Sequence, residues 1–299
     1  MEKVISVSIP AHIRNLLHCG EMGEVILVSS SGIYLRFGEQ ILLLCDQKWG
    51  TLPIGIGVAD FDHVVSLLRL QQGQKVGISE NGLVFQSGSI RFTTQETVCR
   101  TQRNRPPQSQ HIRQAAEELA SLHKTRGISM LVLPLVLGCA QEAVWNQNPY
   151  CEHGYIHLRK LIAALAHRDD PGIRSCVEKL LGLGPGLTPS ADDCLLGMLY
   201  VFRALPRKAP EGAAWFQECI AKLCDCRTNQ ISAAYLKAIL AGAPFERMEQ
   251  VFRGLCGEET LDIWKLTQIG SSSGSEMLLG MLIALKLCGY DVSQREELQ

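Results

Sequence analysis

The sequence predicts an α+β protein, with a small antiparallel β sheet or barrel over residues 1–100 and an all-helical domain over residues 111–299. Three observations carry this reading. Short β-rich runs divided by glycines fill the first hundred residues. Apolar residues at helical spacing fill the remainder. Within that second half, one helix–loop–helix unit occurs twice.

The β half opens with an amphipathic stretch, Ala11, Ile13, Leu16 and Leu17. Glu24–Ser29, Ile33–Phe37 and Gln40–Leu44 then read as strands separated by Ser31-Gly32 and Gly38-Glu39. Phe61–Gln71 interrupts them with the helical spacing of Val64, Val65 and Leu68. Lys75–Ser79, Leu83–Ser87 and Ser89–Thr93 resume the strand pattern, with Asn81-Gly82 as a hairpin signal. Residues 101–110 read as a linker around Pro106-Pro107. Arg100, Arg103, Arg105 and Arg113 surround it, and no acidic residue occurs from Thr97 to Ala116. No aromatic residues are interleaved, so these arginines read as a solvated connector rather than a nucleic-acid contact. Helical spacing then marks His111–Lys124, Tyr155–His167, Ile173–Leu181, Pro189–Leu205, Ala213–Cys224, Gln230–Ala241, Phe245–Leu255, Glu258–Thr267 and Ser275–Leu287.

Composition narrows the function classes. The 299 residues carry a formal net charge of −1, with 46% hydrophobic and 20% charged residues. That is the composition of a folded globular chain, and its neutrality argues against a dedicated nucleic-acid binder. The first residues have no apolar stretch ahead of a cleavage site, so a cytoplasmic protein is expected. The longest apolar run, Ile128–Ala140, is interrupted by Pro134 and is too short to span a bilayer; it predicts a buried segment and no membrane partner. The 12 cysteines are scattered without a C-x-x-C pair, which predicts thiols rather than a disulfide framework. Cys151, His153 and His157 match no common zinc spacing, so no metal site is assigned. The last histidine is His167, so histidine acid–base chemistry is not expected at the motifs that follow it.

The duplication is the informative feature. Ser190–Leu199 and Ser273–Leu282 are identical at six of ten positions, and Asp193 corresponds to Glu276. Leu195, Met198, Leu199 and Phe202 in one copy, and Leu278, Met281, Leu282 and Leu285 in the other, form one apolar helix face each. Upstream, Lys179-Leu180 and Leu183-Gly184 correspond to Lys265-Leu266 and Ile269-Gly270. In the first loop, Gly182, Gly184 and Gly186 admit backbone angles closed to other residues. Thr188 is expected to cap the helix, with Pro189 at its first position. Asp192, Asp193 and Glu276 fall in first turns, where the helix dipole favours negative charge. The second loop, with Ser271, Ser272, Ser273, Gly274 and Ser275, offers several capping hydroxyls.

Backbone N–H groups and hydroxyls at two helix starts make an anion cradle. The carboxyls would cap backbone groups, hold a substrate amide or ammonium, or hold Mg²⁺ bridging to a phosphate; the sequence does not require the metal. A purely structural reading is two capped core helices packed closely at Gly197 and Gly280. Between the copies, Thr228 would cap a helix whose Ser232 and Tyr235 share a face with it, either as internal hydrogen-bonders or as substrate contacts.

Three ordered motifs carry a family resemblance: Gly182–Asp193 as G-x-G-P-G-L-T-P-S-x-D-D, Thr228–Leu236 as T-x-x-[IV]-S-x-x-Y-L, and Gly270–Gly280 as G-x-[ST]-S-G-x-[DE]-x-L-x-G. Here the chain resembles the AllH family, a component of the oxamate carbamoyltransferase system of bacterial allantoin and purine catabolism. Ala191 stands where glycine or a polar residue is expected, and Glu276 where aspartate is the more usual of the two acids. The resemblance implies carbamoyl transfer among oxalurate, phosphate, oxamate and carbamoyl phosphate, by a chain acting with other subunits of a complex. Asp192, Asp193 and Glu276 are the candidate catalytic residues, accepting the hydrogens of an NH₂ group. Gly184, Gly186, Thr188, Ser190, Thr228, Ser232, Tyr235, Ser271, Ser272, Ser273, Gly274 and Ser275 are the candidate binding residues for a small anionic substrate. The alternative is a non-catalytic assembly subunit whose loops are only helix caps.

Overall fold

The computed structural model describes residues 4–29, 32–95, 105–123, 126–139 and 148–290. Arg100, Arg103, Lys124 and Ala140, which figure in the readings above, lie outside the described residues. The chain forms two units, one of Met1–Thr101 with Ala243–Arg247, the other of Gln102–Gly242 with Met248–Gln299.

The first unit is an eight-stranded sheet in the order β1-β8-β7-β6-β2-β3-β4-β5. Its strands are Val4–Pro10 (β1), Met22–Ser29 (β2), Gly32–Phe37 (β3), Gln40–Asp46 (β4), Gly55–Val58 (β5), Lys75–Ser79 (β6), Gly82–Phe85 (β7) and Gly88–Gln95 (β8). The six strands expected from the sequence pair antiparallel. The two edge strands were not expected, and both pair parallel: β1 with β8 and β5 with β4. These edges also approach each other, so the sheet curls toward closure. The signal for β1 was in the sequence, since Ile5, Val7 and Ile9 alternate with serines. Two glycines in four residues masked β5, yet Ile56 and Val58 are fully buried.

Short helices Ala11–Arg14 (α1) and Phe61–Leu68 (α2) cover the sheet. Alternate residues of the strands (Val25, Ile33, Leu35, Phe37, Leu42, Leu44) meet Phe61, Val64 and Leu68 of α2 in one apolar core. The hairpin falls where the sequence places it. Its loop is Glu80-Asn81, however, and Gly82 is already in β7, where a Cβ would stand 1.8 Å from the Ile90 carbonyl oxygen. Ala243–Arg247 is tied to this unit by Glu246 N–H to the Thr51 carbonyl (2.9 Å), and by Arg247 stacked 4.9 Å over the Trp49 ring.

The second unit is helical: Ser109–Ser121 (α3), Val132–Leu135 (α4), Pro149–His167 (α5), Asp170–Leu180 (α6), Ser190–Ala204 (α7), Ala213–Arg227 (α8), Gln230–Leu240 (α9), Glu246–Leu255 (α10), Trp264–Thr267 (α11) and Ser273–Leu287 (α12). The α+β layout is the one expected. The helix read over Glu258–Thr267 is reduced to the single turn α11. Arg253 binds both Glu258 and Glu259 and folds the chain back over the end of α10.

The repeated helices α7 and α12 pack on each other at the centre and are buried on nearly all sides. Their crossing is set by two glycines. A Cβ on Gly197 would lie 2.1 Å from the Met277 carbonyl oxygen, and one on Gly280 would lie 1.9 Å from that of Cys194. Position 197 stands to 277 as 280 stands to 194, so the two copies are related by a pseudo-twofold axis running between the glycines. The apolar run from Ile128 forms a 3₁₀ turn, Ser129–Leu131, and then α4. The carbonyls at the end of α4, on Leu135 and Val136, accept from the Lys286 ammonium at 3.0 and 3.3 Å. No described helix is long and apolar enough to cross a membrane. No disulfide joins the described cysteines.

Candidate functional site

The two glycine loops repeat their hydrogen bonds as well as their sequence. Ala191 N–H donates to the Leu183 carbonyl at 2.9 Å, and Gly274 N–H to the Ile269 carbonyl at 3.0 Å. Asp193 N–H to the Pro189 carbonyl and Glu276 N–H to the Ser272 carbonyl are both 3.1 Å. Gly184 and its counterpart Gly270 both have positive φ, at +125° and +60°. At Gly184 a side chain is excluded twice, because a Cβ would also stand 2.4 Å from Ser190 N.

The loops meet. Thr188 Oγ1 lies 3.0 Å from both Asp193 Oδ2 and Ser273 Oγ, and the Ser273 hydroxyl also bonds to Asp193. This corrects the expected caps. The N-cap position of α7 is Pro189, and Thr188 turns its hydroxyl to the buried carboxyl, a stronger acceptor than any role at the helix start would offer. Ser272 is the N-cap residue of α12 but makes no side-chain capping bond. Asn229, not Thr228, caps α9, its Oδ1 accepting from Ile231 and Ser232 N–H.

Thr228 serves Asp192 instead. Asp192 Oδ1 accepts from Gly182 N–H (2.8 Å), and Oδ2 accepts from the hydroxyls of Ser232 (2.6 Å) and Thr228. The carboxyl therefore ties the first loop to the start of α9. Burial raises its pKa, and these three donors oppose the rise. Tyr235 is buried on the same helix.

Asp193 and Glu276, equivalent under the duplication, form the centre. Both are fully buried, and among the described residues no lysine or arginine is among the largest influences on them. Burial first, and the charge of Glu276 second, push Asp193 well above the usual carboxylate range. Burial raises Glu276 to about 7. Ile128 N–H opposes that rise by donating to Oε1 at 2.8 Å, and the Ser272 hydroxyl and nearby N–H groups help. Both carboxyls therefore hold a proton more tightly than exposed acids do. Three enclosed polar atoms beside them, Glu276 Oε2, Ser190 Oγ and Ser275 Oγ, make no hydrogen bond of good geometry among the described residues.

A third wall was not read from the sequence. Gly127 and Ile128 precede the 3₁₀ turn and close over Glu276, and a Cβ on Gly127 would stand 1.7 Å from Glu276 Oε1 and 3.0 Å from Ser190 Oγ. The Gly127 carbonyl is held by Asn148 Nδ2 (2.8 Å) and Cys151 Sγ (3.2 Å). Burial and the charge of Glu276 raise that thiol to about 12, so it is inert here as a nucleophile. The one sequence signal was a glycine immediately ahead of an apolar run.

The structure thus brings Gly184, Thr188, Ser190, Asp193, Ser273 and Glu276 together, and Thr228, Ser232 and Asp192 into an adjoining cluster. Gly186 and Ser271 stay on the exposed surface of the loops, with Pro185 and Leu187. Gly274 is a packing position, where a Cβ would meet the Leu266 carbonyl oxygen at 1.8 Å. The N–H groups of Gly274, Ser275 and Glu276 bond within their own loop, so the anion cradle read over Ser271–Ser275 is narrower than expected.

These features define an α+β protein whose helical unit is a duplicated helix–loop–helix closed around a buried carboxyl pair. Residues 180–285 match the family model described as oxamate carbamoyltransferase subunit AllH, the family that the three motifs resemble. The matched residues take in both glycine loops, α7 to α11 and nearly all of α12, and leave the β unit outside apart from Ala243–Arg247. No solved structure matches the chain.

Proposed function

We propose that the chain is a subunit of an oxamate carbamoyltransferase-type complex of purine nitrogen catabolism, and that its helical unit binds a small anionic substrate where the two glycine loops meet. The observation that carries this reading is the convergence of the loops on Asp193 and Glu276, with hydroxyls beside them that lack internal partners. Natural proteins seldom leave buried polar atoms unsatisfied, and functional sites are where they do so. The exposed backbone of Pro185–Leu187 would receive the phosphate or carboxylate end of a substrate, and the carboxyls the nitrogen end. Fixed donors near the reacting carbamoyl oxygen would contribute about 3 kcal/mol each to its stabilisation.

The scaffold reading rests on one observation: Asp192 uses both oxygens to tie loop to helix, as a structural cap would. Calorimetric titration of the full-length chain with carbamoyl phosphate, oxamate and phosphate, each with and without Mg²⁺, separates the two. Saturable heat with at least one of them is expected. No response to any of them would leave the scaffold role standing.

A further inference from the structure

The two halves of the duplicated site are equivalent in backbone but not in hydrogen bonding. Under the repeat, Asp193 corresponds to Glu276 and Ser273 to Ser190. One half is complete: Ser273 and Thr188 both bond to Asp193. In the other half the equivalent serine, Ser190, is buried with its hydroxyl unpartnered, and Glu276 Oε2 makes no hydrogen bond of good geometry among the described residues, although the Ser272 hydroxyl also acts on that carboxyl. Between them stand two glycines. A Cβ on Gly184 would lie 2.9 Å from Ser190 Oγ, and one on Gly127 would lie 3.0 Å from the same atom and 1.7 Å from Glu276 Oε1. The backbone at Gly127 therefore lies directly against Glu276 and beside Ser190, with no room for a side chain at that position.

Resting on the ligand site proposed above, we infer that Glu276 and Ser190 form a subsite for the primary amide end of the ligand, whereas Asp193 is a structural carboxyl. The chemistry selects the group. No lysine or arginine is among the largest influences on either carboxyl among the described residues, so a phosphate or carboxylate placed at Glu276 would meet like charge. A –CO–NH₂ end offers an N–H to Glu276 Oε2 and, on the adjacent atom, a carbonyl oxygen to the Ser190 hydroxyl. Both atoms are then satisfied by one planar group. Ile128 N–H fixes the other carboxylate oxygen at 2.8 Å and so orients the acceptor before the ligand arrives.

The test uses oxamate and oxalate, which differ only in having an amide or a second carboxylate. Their affinities for the full-length chain are measured by calorimetry at pH 8, where Glu276 is ionised, for wild type, Glu276→Gln and Ser190→Ala. A charged hydrogen bond of this kind is worth about 10- to 100-fold in affinity. Wild type is therefore expected to prefer oxamate by about tenfold or more. Glu276→Gln should weaken oxamate by a similar factor and remove the preference. Ser190→Ala should weaken oxamate about tenfold, and it keeps the test decisive should Glu276→Gln fold poorly. Oxamate binding that neither substitution alters overturns the subsite and leaves the ligand site in place. A wild-type preference for oxalate also overturns the subsite. Absence of binding by either compound and by phosphate overturns the subsite and the ligand site together.

Discussion

Glu276 is a buried acid whose folded value, about 7, stands about 2.5 above the ordinary 4.5. The folded protein therefore holds this proton more tightly than the unfolded chain does, and stability falls as pH rises between those two values. At 1.36 kcal/mol per tenfold change in proton affinity, the full effect is about 3 kcal/mol, of which about 2.5 kcal/mol is lost between pH 5 and pH 8. Glu276→Gln keeps an acceptor for Ile128 N–H and removes the titration. It also removes the neighbouring charge that raises Asp193, so the pH slope of that acid shrinks in the same direction. The assay is urea unfolding of wild type and variant at pH 5, 6, 7 and 8, followed by helical circular dichroism. Contributions common to both proteins cancel in the difference. The variant should gain about 2.5 kcal/mol on wild type across this range. Parallel stability profiles would mean that Glu276 is ionised throughout, and the desolvated carboxyl pair would be refuted.

Gly197→Ala or Gly280→Ala places a methyl about 2 Å from backbone oxygen of the facing helix. Each should cost about 2–3 kcal/mol through overpacking, read as a lowered melting temperature, and an unchanged melting temperature would deny the close crossing. Asp192→Ala strips the acceptor from Gly182 N–H, Thr228 and Ser232 and should destabilise the helical unit by about 2–4 kcal/mol. By contrast, Asp193→Asn keeps an acceptor for the Thr188 and Ser273 hydroxyls and should cost less than about 1 kcal/mol. Equal losses for the two aspartates, measured by the same urea titration, would contradict the roles assigned to them.

The repeated unit was legible in the sequence because two copies report on each other. Shared apolar spacing placed α7 and α12, and the glycines marked both loops and the crossing at Gly197 and Gly280. The acids were legible as first-turn residues, but their partners were not. Thr188 and Thr228 have the composition of N-caps, and local rules assign them to the nearest helix start. In the folded protein each finds a buried carboxyl instead; Pro189 occupies the N-cap position of α7 without a capping bond, and Asn229 caps α9. Gly127 shows the limit more sharply: it lies 149 positions before Glu276 (276 minus 127), and no periodicity links the two.

The amino-acid order alone determined six of the described strands, most of the helices, and that one structural unit is used twice, because propensity and apolar period act over a few residues at a time. Tertiary structure alone decided the parallel edges of the sheet, the partners of Asp192, Asp193 and Glu276, and the unlike hydrogen bonding of the two equivalent carboxyls. Those outcomes depend on desolvation and on which donors are left over once the helices pack, and both are properties of the closed interior rather than of any stretch of chain.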